Sequence, residues 1–337
     1  MQNAKQLEIS NPKLSSAHLF ALGFLAFCVL SALLIGSAPI TASIVTIFLF
    51  AGIHNFFEFR YFAARMPVRW GRSRLFYTVG IGGVLVLTAF YLTIYFDSGT
   101  WLWSADRWQI FVSGWNTAFI LWLGTLFYIR GRQKPKSDWT IAFAVAFLLA
   151  GLAWLFPAYW SLSMVYLHPF VAMWFLERQI RRTKKEWLKA YHFCLLTIPF
   201  FIAGLYFAFA NAPNLAEENS LFSRITQHAG SGIFQNLSSH FLVATHVFLE
   251  TIHYTVWILL IPLVDKRAIP WKLKEIPLFA NKDGFPKLVA IALLISLSLV
   301  FVFWFAFSRD YETTRDIYFA FAMAHVLAEM PFLVKML

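Results

Sequence analysis

SHFLVATHVFLETIHYTVWILLIPLV, residues 239–264, contains no Lys, Arg or Asp, yet carries His246, Glu250 and His253. A stretch of this length and apolarity is long enough to cross the roughly 30 Å hydrocarbon core of a bilayer as a helix. A helix advances about 100° per residue, so positions i and i+4 lie roughly 40° apart and i and i+7 roughly 20° apart. The three ionisable side chains therefore share one face of a membrane-depth helix. Ionisable groups at such depth are costly and by default mark a site where they find partners.

Three further apolar runs repeat the pattern. They read His54-Asn-Phe-Phe-Glu58, Tyr166-Leu-His168 and His325-Val-Leu-Ala-Glu329. With residues 239–264 they make four helices that carry His, three of them with Glu at helical spacing. Several imidazoles and carboxylates converging at one level of a bundle are what one or two transition-metal ions require.

The rest of the chain agrees with a membrane reading. It is 59% hydrophobic and only 13% charged, with mean hydropathy +0.63; a soluble chain of 337 residues has too little polar surface to cover such a core. Apolar runs predict helices at 17–36, 39–58, 75–96, 109–130, 139–157, 158–177, 187–210, 239–264, 285–308 and 317–336. The fold expected is all-α: one polytopic membrane domain over residues 1–337, with about ten transmembrane helices. The division near Pro157 joins two of them by a very short turn. Segment 211–238 is the longest non-cytoplasmic loop, and its stretch Leu215 to Ile225 is expected to form a short interfacial helix or lid. Trp101, Trp103 and Trp108 suit an interfacial aromatic belt.

A net charge of +11 invites a nucleic-acid reading, which the distribution of charge makes unnecessary. With both termini inside, only Arg107, Arg224, Arg309 and Arg315 among the 28 Lys and Arg fall on the outer side. That is the positive-inside pattern and predicts an N-in, C-in protein with an even number of spans, of the kind found in a bacterial inner membrane. The partners expected are membrane lipids and a lipophilic small molecule, and no nucleic acid. Cys28 and Cys194 sit in separate apolar runs without any thiolate-rich spacing, which disfavours disulfide and soft-metal readings.

Counted back from the first charge on the inner side, His54, His168, His253, His325 and Glu329 fall within a slab roughly 10 Å thick, at about 1.5 Å per residue. His246 and Glu250 lie one to two turns farther out. Each group also has a plainer reading. His246, Glu250 and His253 would equally form a polar stripe along a water-filled cavity, although Glu-x-x-His is also the helical ligand pair of di-iron carboxylate bundles. Glu329 would be protonated and bonded to His325, Glu58 would be a surface ion pair with Arg60, and His168, just before Pro169, would be a hydrogen-bonded core histidine.

The leading expectation is a di-metal site built from His54, Glu58, His168, His246, Glu250, His253, His325 and Glu329. Imidazole and carboxylate without thiolate suit iron, with zinc or manganese also compatible. Two irons would support an oxidase or oxygenase acting on a lipid, hydrocarbon, isoprenoid or quinone, with an external electron donor at the basic cytoplasmic face. The catalytic residues themselves are not assigned. A zinc-dependent intramembrane hydrolase is the alternative within metal chemistry. A haem- or pigment-binding subunit, or a proton-coupled transporter with a His/Glu relay, is the alternative outside it. The HxxxH and HxxHH clusters of membrane desaturases do not occur in the chain.

Overall fold

Single-residue corners organise the bundle. Ala38 separates α1 (Ser16–Ser37) from α2 (Pro39–Ala63), Phe156 separates α5 (Ile141–Leu155) from α6 (Pro157–Thr183), and Asp310 separates α12 (Pro286–Arg309) from α13 (Tyr311–Met336). Pro39, Pro157 and Pro286 stand in first turns, where the missing N–H costs nothing. Asp310 caps α13 by accepting from the Thr313 N–H at 3.1 Å. The computed structural model describes residues 15–96, 105–134 and 139–337, so Trp101 and Trp103 lie outside the described residues. Trp108 is about half exposed.

The described residues are 84% helical, with no strand among them. The remaining elements are α3 (Arg74–Phe96), α4 (Ala105–Arg132), α7 (Leu188–Phe209), α8 (Ser220–His228), α9 (Ser239–Thr255), α10 (Ile261–Val264) and α11 (Pro277–Ala280). A π turn, Val256–Leu260, joins α9 to α10. Eight of the described helices are long and apolar enough to cross a membrane, with α9, the π turn and α10 counted as one. The α5–α6 pair passes the same test only jointly and is bent by 116°. The long apolar helices are compatible with an integral multi-pass membrane protein. Their outer faces suit that setting: α12 exposes Leu288, Leu294 and Phe305, and α7 exposes Phe200 and Phe207.

Two expected boundaries shift. The surface helix of the long outer segment runs from Ser220 to His228 rather than from Leu215 to Ile225. The Asn219 side chain sets its start by accepting from the Phe222 N–H at 2.9 Å. Helix α2 continues past residue 58 to Ala63. Glu58 is consequently buried inside the bundle, at 1% exposure, and makes no surface ion pair with Arg60.

Arg60 serves another purpose. It is fully buried, and its guanidinium donates to the carbonyls of Pro270 (3.3 Å) and Lys272 (2.7 Å). Arg65, one turn on, donates to Asp265 at 2.6 Å while its guanidinium covers the Tyr61 ring. Burial pushes the Asp265 carboxyl up. The Arg267 backbone N–H and the Arg65 and Arg267 guanidinium groups outweigh burial and hold it below its ordinary value, so the pair is ionised at neutral pH. Arg60 on α2 and Arg65 in the turn just beyond it thus latch segment 265–272 across the end of the bundle.

Two apolar cores flank the middle of the molecule. One gathers α1, α6, α7 and α9 around Phe175, Tyr191, Phe248 and Trp257. The other gathers α3, α4, α5 and α13 around Phe76, Trp115, Phe119 and Leu126. In the second, α3 approaches α4 closely at Gly83, where an added Cβ would come within 1.9 Å of the Trp122 Nε1. That indole donates to the Val79 carbonyl at 2.9 Å and cannot withdraw without losing the bond. Helices α2, α6, α9 and α13 pack against one another across the seam between the cores.

Two outcomes follow. Gly83→Ala is expected to lower the thermal midpoint of the detergent-solubilised protein, at a cost of about 1–3 kcal/mol; an unchanged midpoint would contradict the close approach. Arg60→Met removes charge-assisted bonds of about 1.5–3 kcal/mol. Tryptic cleavage after Lys272 or Lys274 should then accelerate about tenfold or more, whereas wild-type rates would show the latch to be dispensable.

Candidate metal centre

Four helices bring ligand-type side chains to the seam. Helix α2 contributes His54 and Glu58, α6 His168, α9 His253, and α13 His325 and Glu329. On α2 and α13 the i, i+4 spacing stacks each His and Glu on one face. On α6, His168 sits immediately before Pro169, whose ring removes one helical hydrogen bond. On α9, His253 stands just before the π turn, a backbone irregularity that often accompanies functional sites.

The imidazoles form a closed cycle. Ring centroids are 5.3 Å apart for His54 and His253, 4.5 Å for His253 and His168, 5.5 Å for His168 and His325, and 5.1 Å for His325 and His54. Two overlapping groups have donor atoms within 4.8 Å of one another: His54, Glu58, His253 and His325, and His168, His253 and Glu329. His253 belongs to both.

Hydrogen bonding leaves these donors available. His54 Nδ1 lies 3.2 Å from the Phe50 carbonyl, which orients the ring and leaves Nε2 without a partner. Both nitrogens of His168, His253 and His325, both carboxylate oxygens of Glu329 and Oε2 of Glu58 also lack hydrogen-bond partners. His168 Nδ1 comes within 3.3 Å of Glu329 Oε2, but not in hydrogen-bonding alignment. A buried polar atom left unsatisfied costs about 1–3 kcal/mol, so this many in one place call for a common partner. An ion accepting a lone pair from each imidazole and carboxylate is a partner that fits one donor atom of each residue. Cys28 and Cys194 are free and buried in the apolar core around α1 and α7, away from this donor set.

His246 and Glu250, expected among the donors, stand in neither group. Glu250 Oε1 accepts from the Tyr254 hydroxyl at 2.6 Å, and its Oε2 faces His246 Nδ1 at 3.9 Å. His246 packs against the rings of His228 and Tyr166. The expected Glu-x-x-His ligand pair of Glu250 and His253 is therefore divided: about 60° of helix rotation separates i from i+3, and the tyrosine one turn on takes the carboxylate.

That tyrosine is the main residue the sequence did not single out. The Tyr254 ring lies 4.3 Å from the His54 ring, tilted by 31°. Glu250 holds its hydroxyl, and the ring in turn holds His54. The i, i+4 spacing of Glu250 and Tyr254 is visible in the chain, but the contact with α2 is not. Trp257, also unremarked, is 1% exposed and packs on Tyr61, Phe62 and Phe175 just beyond the centre.

No protein-family model, curated protein or solved structure matches the chain.

The placement of Glu250 gives a discriminating outcome. His253→Ala, which removes the donor common to both groups, should abolish metal retention in purified protein. Glu250→Gln should retain at least half of the wild-type metal by plasma mass spectrometry. Equal loss in both variants would return Glu250 to the ligand set.

Proposed function

We propose that this chain is a membrane-embedded metal-dependent oxidase or oxygenase, using iron at the His/Glu centre to oxidise a lipophilic substrate. The observation that carries the proposal is the cycle of His54, His253, His168 and His325, with Glu58 and Glu329 beside it, within long apolar helices. Six donors of nitrogen and oxygen without sulfur suit iron; manganese and zinc share the preference less selectively. Iron, when bound, supplies redox chemistry with O₂. The chain's residues supply the rest. The imidazoles fix the position of the ion, the carboxylates offset its charge, and the surrounding apolar packing keeps bulk water from the reacting atoms.

The pair of ions expected from eight donors now rests on six. Two close ions would divide the overlapping groups and meet at His253, whereas one ion within the imidazole cycle would take most of the set by itself. The two overlapping groups, which share His253 and leave His168 outside the set that holds His54 and His325, favour the pair. The substrate classes remain lipid, hydrocarbon, isoprenoid and quinone, since each reaches a mid-membrane site by lateral diffusion. Electrons beyond those of the substrate would come from a donor docking on the basic face, where Arg181 and Arg182 are exposed.

The proposal extends to topology. A bend of 116° turns α6 back toward the side from which α5 came. With the two taken as separate passes, the chain crosses ten times, N-in and C-in, as the positive-inside pattern requires for an inner bacterial membrane.

A second reading draws on the first donor group, three imidazoles and the carboxylate of Glu58. Three His on zinc with a neighbouring Glu as general base would make an intramembrane hydrolase. Metal content and the visible spectrum of protein purified from cells grown with iron and zinc separate the two. One or two equivalents of iron without a Soret band, together with O₂ uptake on addition of a quinol or unsaturated lipid, are expected. One equivalent of zinc and indifference to O₂ would replace the oxidase with the hydrolase, and a Soret band would replace both with a haem site.

A further inference from the structure

On the side of the molecule bearing the arginine latch, the connection between α2 and α3 forms one wall of a concavity of about 430 Å³. The opposite wall comes from α11 and the start of α12. Met66, Val68, Trp70, Leu278 and Phe285 line it, with Arg74 at its edge. We propose that this groove holds one anionic phospholipid, an acyl chain against the apolar lining and the phosphate on Arg74 and its neighbour Arg72.

Charge complementarity is the first support. Arg69 is engaged by Asp283 at 2.8 Å, but no acidic side chain among the described residues pairs with Arg72 or Arg74, and both are exposed. Lys335 adds a third cation to the same corner, its ammonium donating to Ser73 Oγ at 2.6 Å. The left-handed turn at Gly71 (φ +48°) lies between the apolar lining and this cationic corner.

Continuity with the lipid-facing surface is the second. Leu75 and Leu288, the first exposed apolar residues of α3 and α12, are 62% and 64% exposed just beyond the groove. Phe285 and Trp271 are 59% and 78% exposed among Lys272, Lys274, Lys282 and Lys287. Large exposed aromatics interleaved with lysines are the composition of a membrane–water boundary. An acidic soluble partner would need the cations but has no use for an apolar cleft beside the exposed leucines of α3 and α12. A phospholipid uses both.

The test is lipid selectivity in nanodiscs of equimolar phosphatidylglycerol and phosphatidylethanolamine, read by native mass spectrometry of the released protein. Wild type should retain one phosphatidylglycerol in preference to phosphatidylethanolamine. The double variant Arg72→Gln/Arg74→Gln should lose preference by about fivefold per cation removed. Val68→Trp fills the groove while keeping every charge and should lose the retained lipid as well. Equal retention of the two lipids by wild type would overturn the proposal. So would an undiminished preference in Val68→Trp, which would mark the attraction as diffuse surface charge, or displacement of the lipid by soluble poly-glutamate. None of these readouts depends on the metal centre.

Discussion

The cost of removing imidazole and carboxylate from water governs this structure. Four histidines and two glutamates lie between two apolar cores, and most of their nitrogen and oxygen atoms are buried without a hydrogen-bond partner from the surrounding side chains. No arrangement of the surrounding aromatic and aliphatic side chains relieves that cost. The groups themselves, or an ion they hold in common, can do so. The packing of α2, α6, α9 and α13 is therefore tied to those six side chains, and if they hold an ion, its binding free energy is also folding free energy.

The supports around the centre are unequal in kind. His54 is held from two directions, by the Phe50 carbonyl on its own helix and by the Tyr254 ring from α9, itself anchored by Glu250. Outer interactions of this sort commonly fix the orientation of a ligand. His168 and His325 have no such anchor among their hydrogen bonds. Their helices carry prolines nearby, Pro169 after His168 and Pro331 two residues beyond Glu329.

At the end of the bundle bearing the arginine latch, the same physics appears with the opposite charge. Arg60 is as deeply buried as any side chain in the protein and is stabilised by carbonyl oxygens rather than by a carboxylate. Glu58, two residues earlier, turns inward while Arg60 turns toward the covering loop. Two residues of one helical turn, about 200° apart around the axis, separate an acidic interior from a basic cap. This division lets a chain of strongly positive net charge keep acidic side chains at its centre.

Composition and periodicity were enough to determine a helical membrane-type chain and to single out all six side chains that converge. Apolar run length is a local property, and i, i+4 spacing fixes which residues share a helix face whatever the helix packs against. The division of Glu250 from His253, the burial of Glu58 and the part played by Tyr254 were decided only by tertiary structure. Each depends on which neighbouring helix meets a given face and at what rotation, and helical periodicity carries no information about that. The corner at Phe156 is a middle case: Pro157 announces a break in the chain, but the angle of the turn belongs to the packing of α5 and α6 against the rest of the bundle.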